Sequence, residues 1–252
     1  MGIAGFVSER TVALVSTVVL AGAAYALLRP AVGEPLRYVG FRGASPKLVG
    51  YAILASLAIL IPVLSLEALA LLRFKVPQEV IDALTRQITA KTYPELAYVL
   101  AITAVGAAVS EEFVFRGILQ QSLASRMRPW AAILMTSIIF ALLHTIWRTP
   151  PALVLGVFLG FLYWRTQSLV LPIVSHFTVN TVSVVAAFVI EKRGEMAMPV
   201  WIREDKPAPV WMILASLAIF ALAVRALWKE GAPPPVPAEP LPSAEPLGTS
   251  TQ

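Results

Sequence analysis

The chain has 252 residues, of which 58% are hydrophobic and only 14% charged, with a mean hydropathy of +0.75. Soluble domains average about 25% charged residues, so this composition excludes an ordinary soluble fold and points to a membrane protein. The lack of cysteine removes thiol catalysis, disulfides and thiolate metal sites, and the formal charge of +5 is spread through loops without the dense basic cluster that nucleic acid requires.

A bilayer core of ~30 Å takes about 20 apolar residues of helix. Runs that approach or exceed this length lie at 11–28, 48–72, 95–124, 130–147, 151–164, 169–190 and 210–228, punctuated by Arg, Lys, Pro and Gly. They predict an all-α, polytopic transmembrane helix bundle of about seven spans, forming one membrane domain over 1–230 with its motif core at 95–190. The first run, with Arg10 and "AGA" at 21–23, has the look of a signal peptide, but it stays apolar to Leu28 and is expected to be an uncleaved anchor. Gly2 lacks the Ser/Thr that a myristoylation signal needs. Between the second and third runs, Val80, Ile81, Leu84 and Ile88 share one helical face, with Pro77 ahead of them, which predicts an interfacial amphipathic helix over 79–91. Thr92 and Glu95 then form a T-x-x-E capping box with Pro94 inside the first turn, so the third long helix starts there. The run "PALVLGVFLGFLYW" is short, and Gly156 and Gly160 have the small-xxx-small spacing that lets helices approach closely. After Gly231 the Pro-rich tail, 231–252, is predicted to be disordered. With the intramembrane Arg116 set aside, Lys and Arg divide ten to nine between the two sides, so the positive-inside rule leaves orientation undecided.

After the fourteen uncharged residues Leu96 to Val109, the stretch "VSEEFVFRGILQ" (109–120) places Glu111, Glu112 and Arg116 in apolar surroundings. Each central charge costs about 2.5–3.5 kcal/mol to insert, so three unpaired charges would approach ~9 kcal/mol. At 100° per residue, Glu112 and Arg116 lie within ~40° of each other on a helix, whereas Glu111 and Arg116 diverge by ~140°. Glu112 is therefore expected to pair with the arginine while Glu111 faces elsewhere. Taken alone, the three charges are explained equally by a structural ion pair beside a hydrated crevice or headgroups and by a functional site. The rest of the chain adds a pattern. Its only histidines, His144 and His176, lie in apolar runs, and its single asparagine, Asn180, follows His176 by four residues. Pro172 suits a helix's first turn, so His176 and Asn180 share a face. A lone histidine on an apolar face is most often a satisfied core residue. A carboxylate, two imidazoles and a carboxamide, on separate spans or on one face, form a set that chance placement explains poorly.

In their order, Glu111-Glu112-x-x-x-Arg116, Phe140-x-x-x-His144 and His176-x-x-x-Asn180 resemble the three motifs of the CAAX protease and bacteriocin-processing (CPBP, or Abi) family, which includes the type II CAAX prenyl endopeptidases. The match covers 111–180 and is complete at every signature position. The resemblance implies an intramembrane glutamate protease that needs no metal or other cofactor. In it Glu111 with His144 would activate a water, His176 with Asn180 would stabilise the oxyanion, and Glu112 with Arg116 would support the site. The implied partners are the lipid bilayer and a membrane-associated peptide or protein substrate, of the C-terminal prenylated (CAAX) type or another; no nucleic acid is implied. The chemistry is sound: a carboxylate in poorly hydrated surroundings is a stronger base than one in bulk water, and general-base assistance is worth about 10²–10⁴-fold.

Glutamate with two histidines is also an acceptable zinc set, which makes a zinc-dependent protease the nearest rival, although no H-E-x-x-H is present. The only aspartates, Asp82 and Asp205, are expected in loops, which removes a diaspartyl design, and no G-x-S-x-G occurs. Ser175 adjoins His176 but points another way on a helix. A proton-coupled carrier, or a regulatory membrane scaffold, also places Glu and His in the membrane. Asn180 separates these, because a carboxamide carries no proton at physiological pH but can donate to an oxyanion.

Overall fold

The computed structural model describes residues 3–194, 199, 201 and 206–231, with the side chains of the first helix described from residue 18 onward. The expected tail at 232–252 and Asp205 lie outside the described residues. Among those described, the elements are helices: α1 (Ile3–Val32), α2 (Pro35–Tyr38), α3 (Pro46–Phe74), α4 (Gln78–Ile88), α5 (Tyr93–Ala124), α6 (Pro129–Leu142), α7 (Thr149–Thr166), α8 (Val170–Arg193) and α9 (Val210–Glu230).

Local chemistry sets several ends. The Ser45 side chain caps α3 by accepting from Leu48 N–H, with Pro46 at the first helical position, and left-handed Lys75 closes it. Thr92 caps α5 by accepting from Glu95 N–H, while the Glu95 carboxylate reaches back to Lys91 N–H, one residue earlier than a standard capping box. α4 forms where the amphipathic pattern predicts it and buries none of its residues, as suits a helix lying at a surface. It carries Asp82, which accepts from Gln78 and so sits on this helix rather than in a loop.

Four helices are long and apolar enough to cross a membrane: α3, α5, α8 and α9. The protein is thus a helical bundle integral to the membrane. Of the other expected spans, α6 differs most. It ends at Leu142 rather than 147, and its 14 residues rise only ~21 Å against a core of ~30 Å. The segment after it, 143–148, is irregular backbone. Arg148 anchors that segment through a 3.1 Å bond to Glu67 of α3.

The largest core cluster is built from α3, α7, α8 and α9 around Ile59, Leu159, Leu162, Leu171 and Leu227. α6 and α7 pack closely, as the glycine spacing predicts. A Cβ on Gly156 would come within 3.1 Å of Ser137 Cβ, and one on Gly160 within 3.0 Å of Ile133. At one end of the bundle the rings of Trp130, Trp164 and Trp228 contact each other at 5.4 and 5.8 Å. Such indole clusters mark the headgroup level.

Candidate active site

The site grows from α5, which is not a uniform α-helix. Wider π-helical turns at Leu100–Gly106 and Phe113–Gln120 bracket the α-helical Ala107–Glu112. Such turns recur at functional sites, because they re-aim side chains relative to a regular helix. Here they fall on either side of the paired glutamates.

Glu112 and Arg116 are both fully buried and joined by a 2.9 Å bond, as the helix angles predict. A buried pair is tolerable only when its remaining valences are met. Arg116 meets part of them by donating to the Gly156 carbonyl at 3.1 Å and by placing its guanidinium 4.8 Å from the centre of the Phe140 ring, while its Nε and the second oxygen of Glu112, Oε2, are buried without a hydrogen-bond partner. One turn on, Gln120 repeats the move by donating to the Gly160 carbonyl at 2.9 Å. The two glycines of α7 thus bring their backbone close enough for polar side chains of α5 to use it. Polar residues four apart on α5 and glycines four apart on α7 were the available signal for this ladder.

Sequence reasoning missed the second partner of Glu112. The same Oε1 that accepts from Arg116 accepts from His176 Nδ1 at 2.8 Å. That bond fixes the imidazole with its Nδ1 proton toward the buried carboxylate and turns Nε2 outward. Nε2 then lies 4.0 Å from Glu111 Oε2. His176 is therefore held between the two glutamates, the buried one at one nitrogen and the half-buried one facing the other. Glu111 retains 31% side-chain exposure, whereas Glu112 has none. Neighbours in sequence, they occupy opposite sides of one imidazole.

His144 lies beyond the end of α6 rather than within a span. Its Nδ1 is 2.9 Å from the Phe140 carbonyl, and its backbone N–H donates to Ala141. Its ring is 4.8 Å from that of Phe140, which also contacts the Phe115 ring at 5.2 Å, the His176 ring at 6.1 Å and Arg116. Phe140 is thus the common wall of both imidazoles. Among the described residues no direct hydrogen bond joins His144 to Glu111. Asn180, one turn beyond His176 on α8, donates one of its two amide protons to the Thr103 carbonyl at 2.8 Å. Both α8 residues consequently reach α5, His176 at the glutamate turn itself and Asn180 in the π-helical stretch before it. Ser175 is buried with no hydrogen-bond partner for its hydroxyl and takes no part in the cluster. Among the described residues, no group of three or more His, Cys, Asp or Glu is arranged to hold a metal ion.

A polar cluster of carboxylates, imidazole and guanidinium, enclosed by long apolar helices and with Glu111 partly exposed, defines an integral membrane protein with a buried polar site. Residues 93–182 match the model of the family described as type II CAAX prenyl endopeptidase Rce1-like. The stretch is under half of the chain and contains all seven motif residues, so the family resemblance carried by the motifs is shown for this segment. No curated protein and no solved structure matches the chain.

Proposed function

We propose that the protein is a multi-pass intramembrane endopeptidase that hydrolyses a peptide bond with a water activated by Glu111 and His144, without a metal. The observation that carries this reading is the inequality of the two glutamates. Glu112 is sealed and occupied by two hydrogen-bond donors, so it can hold His176 but cannot meet a substrate. Glu111 is reachable from the open side and has no such partner, which suits a general base. As water attacks the carbonyl carbon, its proton passes to Glu111, and the developing oxyanion lies toward the second amide proton of Asn180 and toward His176 Nε2, which can donate only when the ring, with its Nδ1 proton on Glu112, is doubly protonated. Each such donor is worth about 10²–10³-fold. The proton held by Glu111 then passes to the departing amine as the C–N bond breaks. His144, in the segment pinned by Arg148, flanks the same ring wall and orients the water.

The matched family's name specifies a prenyl endopeptidase. We extend that substrate class to this chain as a C-terminal prenylated peptide or another membrane-associated peptide that reaches the site from within the bilayer. The purified protein in liposomes should cleave such a peptide, with the cut mapped by mass spectrometry, and chelators should leave the rate unchanged. Loss of activity on chelation, with recovery on added zinc, would transfer the chemistry to a zinc site.

A further inference from the structure

The loop between α1 and α3 is unrelated to the chemistry above, yet it forms a basic concave surface. Its cavity of about 750 Å³ is lined by Tyr25, Arg29, Glu34, Arg37, Phe41 and Arg42, among others. Three guanidiniums face one carboxylate. Only Arg37 approaches that carboxylate, at 3.9 Å and with both side chains largely exposed, so the cavity keeps an excess of positive charge. The loop is nonetheless firmly seated. Gly40, at φ +70, gives its carbonyl to Leu169 N–H; Tyr163 donates to the Val39 carbonyl; and Ser168 donates to the Arg42 carbonyl at 2.7 Å. Val39 itself rests on Gly117 of α5, where a Cβ would fall 2.7 Å from the valine's.

The cavity also lies at a defined depth. α1 ends where α3 begins, and Lys47 of α3 pairs with Glu230 of α9 at 2.7 Å. This is therefore the end of the bundle that carries the clustered tryptophans. Leu27, Leu36 and Phe41 stand exposed beside the arginines, at 78%, 49% and 49%, and apolar side chains so exposed at this level face acyl chains. Three guanidiniums and the apolar side chains of Leu36 and Phe41 in the lining of one open cavity match a phosphate attached to a lipid tail, since guanidinium forks bind phosphate oxygens in pairs.

We propose that Arg29, Arg37 and Arg42 form a binding site for the phosphate headgroup of an anionic membrane lipid. A free phosphate monoester shares the headgroup's chemistry but lacks the tail that the apolar rim would hold. The test is native mass spectrometry of the full chain in detergent with phosphatidylglycerol, phosphatidylcholine or glycerol phosphate. Phosphatidylglycerol should remain bound in preference to phosphatidylcholine. Replacing all three arginines by glutamine should weaken its retention roughly a hundredfold, since each basic group near an anionic surface contributes a factor of about five. Glu34→Gln removes the one opposing charge and should strengthen retention, and it tests the site even where the triple variant fails to fold. Equal retention of the two lipids, retention unaffected by either variant, or displacement by equimolar glycerol phosphate would each overturn the proposal.

Discussion

Two halves of the site differ in how much freedom they leave their polar atoms. On the inner half, Glu112, Arg116 and His176 are buried, share bonds of 2.8 and 2.9 Å, and draw on the backbone of α7. On the outer half, Glu111 faces His176 across 4.0 Å, His144 bonds only within its own turn, and Asn180 has committed one of its two protons. The contrast teaches that paired, sealed charges inside a bundle hold helices together, while chemistry needs groups that a substrate can reach. Glu112 and Arg116 of the inner half should therefore govern stability and the outer half turnover, with His176 joining the two through its outward Nε2.

The sharpest test of that division is Glu111→Gln. It keeps the shape and removes the base, so cleavage should fall about 10²–10⁴-fold while yield and melting temperature stay at wild-type values. A folded variant that still cleaves at the original rate would dissolve the contrast. Glu112→Ala should do the opposite in kind. It strands Arg116 and His176 in an apolar interior, and removing one partner of a buried pair costs about 3–5 kcal/mol. Unfolding measured in detergent should show that loss, and a variant with normal melting behaviour and no turnover would place Glu112 in the chemistry instead. Asn180→Ala falls between. It should reduce turnover about 10²–10³-fold through the oxyanion, with a smaller loss in melting temperature from the orphaned Thr103 carbonyl.

How much of this was visible in the chain follows from the range of each interaction. The Glu112–Arg116 pair was legible because both ends lie on one helix, where spacing fixes the angle. So were the start of α5 at Thr92 and the close approach at Gly156 and Gly160, since capping and small-residue spacing are local. The Glu112–His176 bond was not. It joins residues 64 apart, and no periodicity says which turn of α8 meets which turn of α5. The early end of α6 was hidden for another reason. Leu143, Ile146 and Trp147 remain apolar, so hydropathy runs on past the point where the helical hydrogen bonds stop. The π turns were invisible because a change in the turn leaves no compositional trace in a uniformly apolar run.

The smallest expected effect tests whether the inner half acts on the outer one through the backbone. Gly156 has two functions in a single residue: its missing Cβ admits Ser137 of α6, and its carbonyl receives Arg116. In Gly156→Ala the new methyl would stand 3.1 Å from Ser137 Cβ and 3.3 Å from its Cα, so backbone as well as side chain must yield. Overpacking of this kind costs about 1–3 kcal/mol. The shift also moves the acceptor away from Arg116, and with it Glu112 and the tilt of His176. Melting temperature should drop, and turnover should fall by less than in Asn180→Ala, because every reacting group is still present but aimed less well. Combining Gly156→Ala with Arg116→Met separates the two routes. If the carbonyl contact carries the effect, the glycine substitution should cost less stability in the methionine background than alone. An equal cost in both backgrounds would confine Gly156 to helix packing and leave the two halves of the site mechanically independent.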